Sequence, residues 1–325
     1  MMKNIAIVAG GDSSEYVVSV RSGANVFSAI DRQKFTPWMI SIRNGIWSVL
    51  EDDKGIASID KGDFSFYLNG EKIRLEYAYI MIHGTPGEDG ILQGYFDMLG
   101  IPYSSCGVQS SALTFNKNFC NKYLRSYDIQ MARSLRLVAG EKWTPEEVVR
   151  ELSLPLFVKP SAGGSSFGVT KVKKEEELAA AVDKALKESP EVLIEQFIEG
   201  KEFTCGVVKI GDKKIILPVT EVIPKNEFFD YEAKYTPGMT EEITPARISE
   251  TLTKKVQSLS SEIYDLCNCK GIVRVDYILK GEIFYFLEIN TVPGMTATSF
   301  IPQQIRAAGL NLTNLLTEII EEGIQ

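Results

Sequence analysis

The chain has 325 residues, 44% of them hydrophobic and 24% charged, which is ordinary globular composition with length for two or three domains. A net charge of −8 argues against a general nucleic-acid or anionic-membrane surface, so an anionic ligand would need local lysines, arginines and backbone amides. Apolar runs such as Ile5 to Ala9 are too short to span a bilayer, no signal peptide is visible, and five sparse cysteines suit a reduced, cytoplasmic protein.

Asn4 to Ala9 reads as a short apolar strand, Gly10-Gly11-Asp12-Ser13-Ser14 as a turn, and the stretch from there to about Ile30 as a helix. That turn lacks the third glycine and the later acid of a dinucleotide fingerprint, so a nicotinamide oxidoreductase rests on Gly10-Gly11 alone. Thr36 to Ile42 and Tyr77 to Ile82 are further strands, and Leu92 to Leu99 is a helix. Strands alternating with helices predict an α/β fold with an open, mainly parallel sheet. Ligands of such sheets bind beyond the carboxyl ends of the strands, where His83-Gly84-Thr85-Pro86-Gly87-Glu88-Asp89-Gly90 falls. A glycine-rich turn in which His83, the sole histidine, bonds backbone fits that loop as well. Glu15 opens the first helix, where capping competes with substrate binding.

From about residue 106 the pattern changes. Asn116 to Ser126 reads as a helix, and Thr144-Pro145-Glu146-Glu147 is a helix start with a cap, a first-turn proline and acids at the positive dipole end. Strands Leu154 to Lys159 and Val169 to Val172 flank the loop Ser161-Ala162-Gly163-Gly164-Ser165-Ser166-Phe167-Gly168. Its glycines allow successive N–H groups to converge on a phosphate, although it is no Walker loop and a plain hairpin turn is the alternative. Glu175 to Glu188 is an alanine-rich helix and Val192 to Phe197 a strand. Lys225 to Pro245 reads as one long loop, and Leu252, Val256, Leu259, Ile263 and Leu266 mark a core-facing helix. Cys267 and Cys269 read as buried thiols, with no partner pair to complete a metal site.

Gly271 to Lys280 and Glu282 to Asn290 are rich in Val, Ile, Tyr and Phe and read as a hairpin. Alternation puts Arg274 with Asp276, and Glu288 with Asn290. A three-residue loop around Lys280-Gly281 would bring all four to one face. Two carboxylates and an amide oxygen there suit Mg²⁺ beside substrate phosphates, whereas a surface ion pair of Arg274 with the acids is the plainer reading.

Six segments together resemble the D-alanine–D-alanine ligase family of the ATP-grasp superfamily: Gly10-Gly11-x-Ser-x-Glu15, His83-Gly-x-x-Gly-Glu88-Asp89-Gly90, Gly164-Ser165-Ser166-x-Gly168, Tyr231-Glu232-Ala233-Lys234-Tyr235, Arg274-x-Asp276 and Glu288-x-Asn290-Thr-x-Pro293-Gly294-Met295. They run in order over nearly the whole chain. The resemblance implies a three-domain ATP-grasp architecture, with an N-terminal substrate-binding domain at 1–105 and ATP-grasp subdomains at 106–191 and 192–325. ATP would be the co-substrate, held between the last two. It also implies two Mg²⁺ ions (or Mn²⁺) on Asp276, Glu288 and Asn290, and phosphate-binding roles for Lys117, Lys159 and Lys234. Glu195, Ile198 and Glu202 would contact adenine and ribose, although core packing is the plainer role for the apolar strand neighbours. The first D-alanine would lie near Glu15 and His83, with Ser165 and Tyr235 closing the lid. Arg274 and the Gly294 amide would meet the oxyanion, and Ser299 the second D-alanine's carboxylate. The family commonly forms homodimers, and its cell-wall precursor role is bacterial and cytoplasmic.

Two places depart from the family pattern: Tyr16-Val17-Val18-Ser19 replaces a charged pair before Val-Ser, and Ala162-Gly163 replaces a basic and an acidic residue. Lys234-Tyr235 favours dipeptide over D-alanyl-D-lactate formation. The alternatives are the depsipeptide ligase, another ATP-grasp carboxylate–amine ligase, and a non-catalytic nucleotide-binding protein.

Overall fold

A computed structural model describes residues 2–225 and 238–324. The N-terminal sheet is built on Lys3–Gly10, which pairs in parallel with Phe35–Arg43 on one side and Tyr77–Ile80 on the other. Ile5, Ala6, Ile7 and Val8 are wholly buried, as a central parallel strand requires. Ile46–Glu51 and Lys54–Ser58 extend this sheet antiparallel at one edge. Their mixed sequences lack a clean alternation and so carry no strand signal of their own. The helix Tyr16–Ala29 packs on the first strand, with Gly23 so close to Ala9 that an added Cβ would sit 2.7 Å from the alanine methyl. The C-terminal helix Leu312–Ile324 sends Leu315, Leu316, Ile319 and Ile320 into this same core.

A second sheet of four strands holds Leu156–Pro160 between Thr170–Val172 and Glu191–Gln196, which in turn pairs with Ser134–Val138. Helices Pro145–Leu152 and Leu178–Leu186 cover it, the first capped by the Thr144 side chain, which accepts from Glu147 N. The third sheet is antiparallel, in the order Thr240–Ile243, Thr220–Pro224, Lys201–Ile210, Gly271–Lys280, Ile283–Asn290, with Lys213–Ile216 also on Lys201–Ile210. Glu250–Leu266 packs beneath it, as its apolar spacing predicts.

Thr240–Ile243 lies inside the segment read as loop. Its sequence, Thr-Glu-Glu-Ile, hides an edge strand behind charged side chains. All five cysteines are buried and free. No described helix is long and apolar enough to cross a membrane.

Candidate active site

The site grows from the register of the third sheet. Arg274 pairs with Asn290 and Gly206, Asp276 with Glu288 and Thr204, and Ile278 with Glu202. On an antiparallel sheet, positions two apart share a face, so Arg274, Asp276, Glu288, Asn290, Thr204 and Glu202 all project to one side. The register is reached differently from the sequence expectation. The turn has two residues, Gly281 and Glu282, with Gly281 at φ +60°, as a primed hairpin turn demands of its first central position. Such a turn alone would put Asp276 opposite Leu287. A bulge between the Asp276 and Tyr277 pairings instead leaves Leu287 as an extra residue and slides Glu288 into place. The bulge also turns Leu287 into a cavity beside Glu288.

Two adjoining cavities meet at these residues. The larger, about 530 Å³, lies between the second and third sheets. Phe157, Phe197, Ile198, Ile278 and Leu287 supply an apolar wall, and Lys117, Lys159, Glu195 and Glu202 its polar groups. Lys159 and Glu195 stand on adjacent strands and pair at 2.6 Å, and Asn121 Nδ2 donates to Glu195 at 3.1 Å. Lys117 opens the helix Lys117–Arg125, capped by Asn116. Its Nζ donates to Gly163 O at 2.6 Å and lies 3.4 Å from Glu288. The Asn116–Ala162 bridge and this bond pin the stretch where Ala162-Gly163 departs from the family pattern.

The smaller cavity, about 380 Å³, is lined by Glu15, His83, Glu88, Ser165, Glu242, Arg274, Gly294 and Ser299, among others. Glu15 makes no capping bond. It accepts a hydrogen bond from Ser165 Oγ instead, tying the Gly/Ser loop to the N-terminal unit. Ser165 and Ser166 both hold left-handed backbone (φ +49° and +60°), strain that concentrates at functional loops. A Cβ on Gly164 would overlap the Glu15 carboxylate as it stands, so an alanine here would force that carboxylate to move. At the other departure, the Arg43 guanidinium stacks 3.9 Å over the Tyr16 ring.

Both nitrogens of His83 are taken up within the protein. Nδ1 lies 2.9 Å from Val292 O, which can only accept, so Nδ1 carries the proton. Nε2 then accepts from Ser22 Oγ at 3.2 Å, while Ser22 Oγ accepts from Met295 N at 3.1 Å. Burial holds the imidazole below its usual pKa, keeping it neutral, against the opposing pull of Glu15 and Val292 O. The ring therefore ties the Val292–Met295 turn, which carries Gly294, to the first helix. Glu88 joins the same tie, accepting from Gly84 N at 2.7 Å and Val292 N at 3.4 Å. Burial and then the nearby Glu15 charge push its carboxyl up to about 8, against those donors. Ser299 closes the last turn before helix Phe300–Ala307, accepting from Thr296 N at 3.1 Å, and sits 3.0 Å from where a Gly294 Cβ would be.

Arg274 holds both oxygens of Asp276, at 2.9 and 2.7 Å, and Asn290 Nδ2 adds a third bond at 3.1 Å. So the ion pair read as the plainer alternative does form, on a face that also carries the oxygen donors. Two carboxylates, each beside a cation, and an amide oxygen fit a hard divalent ion that arrives with phosphates. Among the described residues no cluster of three His, Cys, Asp or Glu suits a metal by itself. Lys234 and Tyr235 lie outside the described residues.

Several cavity residues escape a sequence reading. Glu88 is visible only as part of a motif. Ser22, behind the cavity wall, could be found from its spacing to Ser19, two buried serines on one helix face. Leu287 and Glu242 leave no signal, because a bulge and an edge strand bring them in.

Known proteins show the same plan. The family model described as D-ala D-ala ligase N-terminus matches residues 4–106, and that described as D-ala D-ala ligase C-terminus matches residues 124–321. The chain belongs to the D-alanine–D-alanine ligase family. A D-alanine–D-alanine ligase of Phocaeicola vulgatus is 55% identical over 99% of both chains, and one from Bacteroides fragilis is 53% identical over the same shares. Among solved structures, the VanG D-Ala:D-Ser ligase of Enterococcus faecalis superposes with a TM-score of 0.85 at 33% identity, covering 99% of both chains. The Bacillus anthracis D-alanine–D-alanine ligase gives 0.81 at 33%, covering 99% of this chain and 97% of that one. The ATP-grasp architecture of the D-alanine–D-alanine ligase family is thus the architecture of this chain.

Proposed function

We propose that this chain is an ATP-dependent ligase that joins two D-alanine molecules into D-alanyl-D-alanine, the dipeptide used for cell-wall precursors in a bacterial cytoplasm. One observation carries the reading: Arg274, Asp276, Glu288 and Asn290 share a sheet face at the junction of an apolar, lysine-edged cavity and a polar one. The first suits a nucleotide and the second a pair of small zwitterions.

In this reading Ile198, Leu287 and the neighbouring phenylalanines receive adenine, with Glu195 and Glu202 recognising its amino group and the ribose. Lys117 and Lys159 exchange their carboxylate partners for phosphate oxygens, and Lys234 joins them from the lid. Asp276, Glu288 and Asn290 would hold Mg²⁺, which neutralises phosphate charge during transfer. Glu15 receives the ammonium of the first D-alanine. The carboxylate of that substrate takes the γ-phosphoryl group, giving an acyl phosphate and ADP. Arg274, released from Asp276, and the Gly294 N–H face the oxyanion formed when the second amine attacks. Ser299 donates to the second carboxylate, and Ser165 with Tyr235 shuts out the water that would hydrolyse the acyl phosphate. A homodimer is part of the same proposal.

The test is phosphate release from Mg-ATP with D-alanine, L-alanine, or D-alanine plus D-lactate. Release with D-alanine alone, and dipeptide as product, is expected. Release only with D-lactate would make the chain a depsipeptide ligase. ATP binding without release in any mixture would leave a nucleotide-binding protein.

A further inference from the structure

The cavity around Arg274 contains a carboxylate that the reaction above does not use. Glu242 stands on the edge strand Thr240–Ile243, near the end of the Lys225 to Pro245 segment. Across the sheet it pairs with Val222, which pairs with Glu202, which pairs with Ile278. That row belongs to the same face as Arg274 and Asp276, so Glu242 projects towards the reaction centre rather than the outer solvent. Its Oε2 accepts from Gln303 Nε2, and among the described residues Gln303 is its only hydrogen-bond partner. Gln303 Nε2 also donates to Thr298 O at 2.7 Å, tying Glu242 to the turn that carries Ser299.

Ser299 and Gln303 are four residues apart, so they lie one above the other across the first turn of helix Phe300–Ala307. The Gln303 side chain reaches back to Thr298 O, so Glu242, held by the same nitrogen, sits beside the turn that carries the Ser299 hydroxyl. The other acids on this cavity wall have other partners: Glu15 bonds Ser165, Glu88 two backbone N–H groups, and Glu288 pairs with Lys117.

An amino acid carries its ammonium and carboxylate on one carbon, so a subsite for a second one needs an anion and a cation receptor on the same wall. Resting on the ligase reading, we propose that Glu242 is the cation receptor of the second subsite: it takes the ammonium of the incoming amino acid, accepts one proton from it, and thereby selects an amino over a hydroxy acid. The neutral amine then attacks the acyl carbon; the C–N bond forms as the carbonyl pair moves onto oxygen, and collapse of that oxyanion breaks the acyl C–O bond, phosphate leaving with the electron pair. The remaining excess proton passes from the new amide nitrogen to the departing phosphate. Burial raises the Glu242 carboxyl above its ordinary value, against Gln303 and Arg274, which suits a group that must accept a proton.

The experiment compares wild type with Glu242→Gln and Glu242→Asp using two acceptors, D-alanine and hydroxylamine. Hydroxylamine is uncharged in mildly alkaline buffer and traps the acyl phosphate as a hydroxamate without an ammonium receptor. The glutamine variant retains a partner for Gln303, so the fold is kept. Dipeptide kcat/KM should fall on the order of 10- to 100-fold in Glu242→Gln, the scale of a lost charge-assisted contact, with hydroxamate formation unchanged and partial recovery in Glu242→Asp. Equal losses with both acceptors, or no loss with either, would overturn the assignment. Failure of the wild type to form either product would instead overturn the ligase reading beneath it.

Discussion

Replacing His83 by alanine tests whether the imidazole holds the Gly294 turn or touches substrate. The ring is 5% exposed and supplies both a donor to Val292 O and an acceptor for Ser22 Oγ. Two such bonds contribute about 1 kcal/mol each, and a carbonyl left unpaired in this environment adds about 1–3 kcal/mol. The expected destabilisation is therefore about 3–5 kcal/mol, seen as a Tm lower by several degrees. Ser22→Ala removes the hydroxyl that bonds both His83 Nε2 and Met295 N and should cost about 2 kcal/mol. Freed from its tie, the Val292–Met295 turn would misplace the Gly294 N–H, and a shift of about 1 Å costs about 100-fold in rate. The signature is thus a fall in kcat for both variants, larger for His83→Ala, with the KM for ATP unchanged. A variant that melts like wild type, keeps kcat and raises only the KM for the first D-alanine would refute the tie and make His83 a substrate contact.

Asp276→Asn should abolish Mg-ATP turnover and lower stability by about 3–5 kcal/mol, since it removes the carboxylate that the largely buried Arg274 holds through two bonds; unfolding and phosphate-release assays check the two separately. Gly164→Ala should lower the first-substrate kcat/KM strongly, because its methyl would occupy the place of the Glu15 carboxylate; normal kinetics would contradict that contact. Leu287→Ala should raise the KM for ATP several-fold while leaving the D-alanine constants alone, as loss of about 1–2 kcal/mol of apolar contact predicts. Stability should respond to pH through two opposed groups. His83 is held below its free value of 6.5, so its contribution is whole above that pH and is lost as pH falls. Glu88 is raised from 4.5 to about 8, so its contribution is whole below 4.5 and lost as pH rises through 8. In denaturation series, His83→Ala should flatten the acid limb and Glu88→Gln the alkaline one.

Much of the site is legible before folding because its residues are close in the chain. Arg274 with Asp276, and Glu288 with Asn290, follow from alternation in two strands, and the Gly/Ser loop and helix Lys117–Arg125 announce themselves by composition and capping. The parallel heart of the N-terminal sheet is legible for the same local reason, since Ile5 to Val8 suit a strand buried on both faces. The edge strands at 54–58 and 240–243 are not, because an edge strand needs no apolar alternation and takes its order from the neighbour it pairs with.

The sequence by itself determined which chemical groups this protein would have and in what local order: lysines before a glycine-rich turn, acids alternating along strands, one histidine at a strand end. Tertiary structure decided which of them meet. The Leu287 bulge set the register that faces Glu288 with Asp276, the loop at Gly164 closed against the Glu15 carboxylate, and Glu242 reached the cavity through a strand pairing. Those outcomes depend on contacts between residues far apart in the chain, and no short-range pattern encodes them.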